Sequence, residues 1–507
     1  MAAPASPPSD DPETLKALLA EERAENERLR QIILAMQRHR FGRRAESLPE
    51  DQLLLGLEEA EQVEAAGFAD EENEPAKQEA RRAKRRTNRG TLPAHLPRVE
   101  CLVDIDSTAC PCCSGALHRI GEDVSERLDV VPAQFRVLVI RRPRYACRAC
   151  GDAIVQAPAP ARLIEGGLPT DALIAQVLVS KYADHLPLYR QSQIFARQGV
   201  RLDRSTLADW VGRAALLLRP VHARLLETLK RSGKLFADET TAPVLDPGRG
   251  RTKTGQLWAY ARDDRPWGGT DPPGVAYVYA PDRTAGRPIA HLSGFAGVLQ
   301  VDGYAAYESL AKGGAVRLAY CWSHVRRQFY DLAAASPIAT ETLSRIAALY
   351  RIEAEIRGRP AEERRAARQE RSRPVVEALE VWLQEKLGLL SRKSNLAEAI
   401  RYALSRWAGL SLFLDDGRVE IDSNIVERAI RPLALNRKNA LFAGSDGGGE
   451  HWAVIASLVE TCKLVGVEPQ AYLADVITHI VEGHPQRRLD ELLPWAYPST
   501  PTLRAVA

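Results

Sequence analysis

KLFADET at 234–240, QLWAYAR at 256–262, GVAYVYA at 274–280, GVLQVDGY at 297–304 and VRLAYC at 316–321 decide how this chain folds. Each run is rich in β-branched and aromatic residues and reads as a strand. Helical stretches follow the fourth strand (YAAYESLA, 304–311) and the fifth (HVRRQFYDLAAA, 324–335). A further short helix fits near 285–292, between the third and fourth. Three strands in a meander, then helix, strand, helix, strand, helix, predict a mixed sheet covered by helices.

This is the element order of a ribonuclease-H-like core, in which the first and fourth strands are neighbours. Asp238 ends the apolar run of the first strand and Asp302 ends the fourth, so their side chains can meet. Glu427 lies on the helix that follows a long helical stretch, and a helix laid across the sheet can aim one face at the same point. Cleaving and rejoining phosphodiesters needs an activated nucleophile and a stabilised leaving oxygen. Two Mg²⁺ ions about 3.5–4 Å apart supply both. Magnesium takes oxygen ligands, and clustered carboxylates repel one another until cations neutralise them. Each acid also has a plain reading. Asp238 and Asp302 suit turns, the latter before Gly303. Asn424-Ile-Val-Glu427 fits a capping box with Asn424 at the N-cap and Glu427 at N3.

Cys321-Trp-Ser-His324 follows the fifth strand, near the same edge. Cys and His three apart make half a zinc site with no second half evident, so a supporting role is expected. His324 would contact a phosphate or orient an acid, and Arg326 would contact DNA. Arg428, Arg431, Arg437 and Lys438, on or beyond the Glu427 helix, are expected to hold phosphates.

Working outward, the core is assigned to 233–335 and 416–445, with a helical insertion at 336–415. Beyond it lies a C-terminal helical block at 446–495, in which GSDGGG (444–449) is expected to be flexible. On the other side, 165–230 carries helical spacing, with Gly199 between LYRQSQIFARQG and LDRSTLADWVGRAALLL. This outlines a helix–turn–helix in which Asp203 or Ser205 caps the second helix. Arg204, Ser205, Thr206 and Asp209 would then lie near a major groove. Residues 101–157 hold two Cys-x-x-Cys pairs, Cys110/Cys113 and Cys147/Cys150, flanking FRVLVIRRPRYAC, which reads as strand. Four thiolates of this kind suit structural Zn²⁺, with Cys112 a bystander. Residues 45–100 read as linker, acidic and then basic (RRAKRRTNR, 81–89). Residues 12–44 hold a short a/d seam with Asn26 at an a position, a coiled-coil helix suited to self-association.

The 507 residues carry a net charge of +3, which neither demands nor excludes nucleic acid, and a 45% hydrophobic content that can fill a core. No apolar run reaches the roughly 18 residues of a membrane span, and the N-terminus lacks a signal pattern. A cytoplasmic location is expected. There are eight cysteines, and in that reducing setting clustered ones read as metal ligands rather than disulfides.

The chain resembles the IS66 family of insertion-sequence transposases. The residues that carry the resemblance are RFGRRAE, CPCCSGAL with GEDVSERLDVVPAQFRV and YACRAC, then FADET, LQVDGYAAYESL, CWSHVRRQF and the long block DSNIVERAIRPLALNRKNALFAGSDGGGEHWAVIASLVETCKLVGVEPQAYL. The resemblance implies an α/β multidomain protein: a coiled-coil N-terminus, a zinc-binding segment and a ribonuclease-H-like DDE core with a helical insertion. Asp238, Asp302 and Glu427 match its acidic triad. It also implies action on the terminal inverted repeats of a mobile element and on target DNA, by a homodimer or larger assembly. Small accessory proteins of the same element are further implied partners. A metal-dependent nuclease or resolvase on the same fold, and a zinc-bearing DNA-binding regulator without catalysis, are the competing readings.

Overall fold

The computed structural model describes residues 134–146, 154–246 and 249–498, with Arg98 and Cys112 as isolated positions. The expected coiled coil, the expected linker apart from Arg98, and the four cysteines expected to hold zinc lie outside these residues.

The first described elements are two three-residue strands, β1 (Arg144–Ala146) and β2 (Ile154–Gln156), paired antiparallel. Only the end of FRVLVIRRPRYAC is therefore strand. Residues 135–143 have no partner strand among the described residues, and Val137, Leu138 and Val139 are exposed. Without a neighbour, β propensity alone cannot satisfy the backbone.

Three helices follow: α1 (Asp171–Tyr182), α2 (Leu188–Arg197) and α3 (Arg204–Lys230). Thr170 caps α1 by accepting the Leu173 amide at 3.2 Å. Asp203 occupies the N-cap of α3 but its side chain makes no capping bond. Gly199, at φ +82°, turns the chain between α2 and α3, a conformation that suits glycine.

Strands β3 (Lys234–Asp246), β4 (Arg251–Arg262), β5 (Gly274–Ala280), β6 (Gly297–Val301) and β7 (Val316–Tyr320) form one sheet in the order β5-β4-β3-β6-β7. The first three are an antiparallel meander; β6 and β7 join parallel to β3. Helices α4 (Gly286–His291), α5 (Ala305–Ala311) and α6 (Trp322–Tyr330) follow β5, β6 and β7 respectively. First and fourth strands are thus neighbours.

After α6 come α7 (Pro337–Ile356), α8 (Ala361–Ala367), α9 (Arg373–Gly388) and α10 (Asn395–Leu404), then the short α11 (Trp407–Leu410) and α12 (Leu412–Asp415). They share a core with β6, β7 and the helix after it, in which Val298, Ala319, Phe329, Ile346, Leu379 and Phe413 are buried, and they hold a buried ionic cluster. Arg368 donates to Glu353 at 2.7 Å from both Nε and Nη2, and Arg364 donates to Glu420 at 2.8 Å. Gln300 of β6 exchanges two hydrogen bonds with the Glu420 backbone, at 2.9 and 2.8 Å. The helical block is therefore tied directly to the strand that leads to Asp302.

The chain returns in α13 (Asn424–Ala440), which lies against β3 and β4, and continues in α14 (Asp446–Val465) and α15 (Pro469–Val481). The glycine run expected to be flexible is instead the first turn of α14. Ser445 caps it, accepting the Gly448 amide at 3.1 Å. Asp446 accepts the Tyr279 hydroxyl at 2.5 Å and Lys253 Nζ at 2.6 Å. A Cβ at Gly449 would stand 2.6 Å from the Tyr279 ring, so absence of a side chain is what lets the helix approach. Along the edge strand β5, Ser457 accepts the Tyr277 amide at 2.7 Å, and Thr461 bonds both the amide and the carbonyl of Val275. Helix side chains thus occupy backbone groups that would otherwise invite a foreign strand.

No helix among the described residues is long and apolar enough to cross a membrane.

Candidate functional site

Lys234, Leu235 and Phe236 of β3 pair with Val298, Leu299 and Gln300 of β6. In that register Asp238 and Asp302 each lie two residues beyond the last pair, side by side where the parallel ladder stops. Asp238 does not end its strand, as the apolar run alone implied. β3 continues to Asp246 because β4 pairs with it along the whole length. Asp302 sits one residue past β6, and its Oδ1 accepts the Tyr304 amide at 2.9 Å. Gly303, at φ +105°, makes the turn; a Cβ there would stand 2.6 Å from Arg406 Nε. The helical block grips this turn: Tyr402 donates to the Asp302 carbonyl at 2.9 Å and Arg406 to the Gly303 carbonyl at 3.2 Å.

Glu427 enters from α13. That helix starts at Asn424 with Ser423 at the N-cap, so Glu427 is one position deeper than a capping box would put it. The Ser423 hydroxyl donates to Glu427 Oε1 at 3.2 Å, and His324 Nδ1 stands 3.7 Å from the same oxygen. Cys321, at the N-cap of α6, accepts the Ser423 amide on Sγ at 3.2 Å. Glu427 also faces a cleft lined by Ser323, His324, Arg326, Arg327 and Tyr330.

The electrostatics report the convergence. Burial pushes the Asp238 carboxyl up to about 8, and the negative charges of Asp302, Glu239 and Glu427 add to the effect. The amide of Glu239, donating at 2.8 Å, opposes it. Asp238 on β3 therefore feels the charges of Asp302 at the end of β6 and of Glu427 on α13, and carboxylate oxygens are the hard donors that a divalent cation takes.

Glu239 escaped the sequence reading. Its side chain is 1% exposed and paired with Arg283, whose Nε donates at 2.9 Å. The Tyr307 hydroxyl donates to it at 2.9 Å, and Arg283 in turn lies over the Tyr304 ring at 3.9 Å. The signal was present in FADET: consecutive strand residues point to opposite faces, so adjacent acids must have different partners. Asp422 was also missed. Burial raises its carboxyl, and it is hydrogen-bonded to Tyr350 and to the Asn424 amide.

The other expected contacts scatter over the surface. Arg204 and Ser205 are exposed and Thr206 half-buried at the start of α3; Asp209 pairs with Arg213 on the same helix. Arg326 is exposed beside Tyr330, 5.6 Å from the ring. Arg428 and Lys438 are exposed and Arg431 half-buried on α13. Arg437 is committed to β3, donating to the Thr241 carbonyl and hydroxyl at 2.7 Å each.

Residues 166–451 match the model of the transposase IS66 family, 107–151 that of the zinc-finger binding domain of transposase IS66, and 457–495 the IS66 C-terminal element. Residues 28–101 match the model described as transposase C of IS166 homeodomain. The zinc-finger match contains Cys110, Cys113, Cys147 and Cys150. Among similar proteins, the uncharacterized y4jD of Sinorhizobium fredii is 52% identical over 80% of this chain and 82% of its own length. The uncharacterized y4qI of the same organism is 48% identical over 95% and 91%. A family model that matches more than half of the chain, with two relatives of about 50% identity along most of its length, shows that this chain belongs to the IS66 transposase family.

Proposed function

We propose that the chain is a DDE transposase with a ribonuclease-H-like core. It cuts at the ends of an insertion sequence and joins the freed 3′-hydroxyls to target DNA. The single observation that carries this reading is the parallel register of β3 and β6, which brings Asp238 and Asp302 to the same end of the ladder, within reach of the charge of Glu427 on α13. Mg²⁺ ions bound by Asp238, Asp302 and Glu427 would polarise the scissile phosphate and stabilise the leaving oxygen. The protein's own task is to hold those acids. The Asp302 turn is fixed by Tyr402 and Arg406, Glu427 by Ser423, and Asp238 by the β4 ladder. Arg283 neutralises Glu239, which leaves the other three as the unneutralised set.

Arg326, Arg428, Arg431 and Lys438 would lie along the phosphate path, with Arg437 bracing α13 against β3. Arg204, Ser205 and Thr206 would read or hold DNA from the start of α3. Cys110, Cys113, Cys147 and Cys150 would hold a structural Zn²⁺. Pairing two element ends calls for a dimer or larger assembly, in the cytoplasm and on the nucleoid, to which the N-terminal helix would contribute.

The test is a strand-transfer assay with pre-cut element ends and Mg²⁺. Joined product that disappears in Asp302→Ala, with end binding retained, is the expected result. Cleavage without joining would identify a nuclease. Binding with no chemistry in the wild type would identify a regulator.

A further inference from the structure

A second set of donors, of a different chemical kind, meets at Glu427. Cys321 and His324 stand one helical turn apart on α6, and Glu427 faces them from the first turn of α13. Sγ, an imidazole nitrogen and a carboxylate oxygen all lie within 4.8 Å of one another. His324 Nδ1 is shut off from water and has no hydrogen-bond partner, since 3.7 Å to Glu427 Oε1 is too long for one. A buried ring nitrogen without a partner is destabilising, and its lone pair is what a cation would take.

We propose that Cys321, His324 and Glu427 form a binding site for a borderline-soft divalent cation, Zn²⁺ foremost, separate from the four-cysteine segment. Sulfur, imidazole and carboxylate are zinc's donor types, and three protein ligands leave a fourth position open. That position faces the cleft lined by Arg326, Arg327 and Tyr330. Magnesium, which takes oxygen donors, has no use for Cys321 or His324. Ligand atoms around a tetrahedral zinc stand roughly 3.3–3.8 Å apart. Small rotations of His324 and Glu427, which are 31% and 36% exposed, close the difference.

A metal-bound cysteine is a thiolate, so the thiol proton leaves when a cation takes Sγ. Binding therefore forms a Zn–S bond and releases one H⁺ to solvent. The Ser423 amide already aimed at Sγ stabilises the resulting thiolate. Glu427 is also one of the three acids proposed for the DNA chemistry, whereas Cys321 and His324 belong to the zinc site alone and so carry its test.

The test uses the full chain, stripped with chelator and dialysed against Zn²⁺, with metal per chain measured by mass spectrometry. Co²⁺ substitution gives an independent reading through its tetrahedral d–d and sulfur charge-transfer bands. The wild type should hold two zinc ions. Cys321→Ser and His324→Ala should each hold one, while Cys110→Ser with Cys113→Ser loses only the other. His324→Ala removes a partly exposed ring, and an unchanged Tm in metal-free buffer shows that its fold persists. Zinc content and Co²⁺ spectrum in His324→Ala equal to those of the wild type would overturn the proposal. So would a wild type holding one zinc that vanishes with the Cys110/Cys113 change.

Discussion

Replacing Asp238 by Asn should stabilise the metal-free protein. Burial and three neighbouring acids raise this carboxyl from its ordinary 3.8 to about 8. At about 1.4 kcal/mol per pH unit, the charged carboxylate destabilises the fold by at most about 6 kcal/mol. Side-chain relaxation and water penetration reduce this to on the order of 2–3 kcal/mol. Because the folded value lies above the unfolded one, the stabilising contribution of the protonated acid is fully present below about pH 3.8. It falls as pH rises and is gone above about 8. Asn keeps the shape and the acceptor for the Glu239 amide but never ionises. Thermal unfolding of wild type and Asp238→Asn in chelator at pH 5, 7 and 9 should show only a small gap at pH 5. The variant should be several degrees higher at pH 9. Millimolar Mg²⁺ should raise the wild type at pH 9 and leave the variant unmoved. A gap that does not widen with pH, or a variant less stable throughout, would refute the claim that these acids repel one another in the folded state.

Arg368→Met leaves Glu353 buried without its main partner and should destabilise the helical block by about 3–5 kcal/mol, read as an early transition in denaturant. Gly449→Ala forces a methyl into the Tyr279 ring and should cost about 1–3 kcal/mol in thermal unfolding; Tyr279→Ala in the same chain should relieve the clash. Arg428→Ala and Lys438→Ala should each weaken DNA binding and lower its log-salt slope by about 1. Arg437→Ala should instead lower Tm, because its guanidinium already braces α13 on Thr241.

The five strands were legible because their β-branched and aromatic runs are short, separate and broken by helical stretches. Asp302 was legible because Asp-Gly follows an apolar run. The extent of β3 was not, since pairing with β4 rather than local composition carries it past Asp238. Residues 135–143 erred the other way, as a strand-like run without a partner. GSDGGG looks like a loop by composition, yet Ser445 and Asp446 are capping residues and the glycines admit Tyr279. The most telling gap is around Glu427. Cys321 and Ser423 touch across 102 residues of sequence, a separation at which spacing carries no information.

Gln300 and Glu420 meet over a span of 120 residues. Closing so long a loop from a disordered chain is entropically unfavourable and slow. Helices that condense locally between those points shorten the search to a docking of preformed pieces. An insertion that wound up its own length first would act as a folding spool, carrying Glu427 toward the end of the β3–β6 ladder.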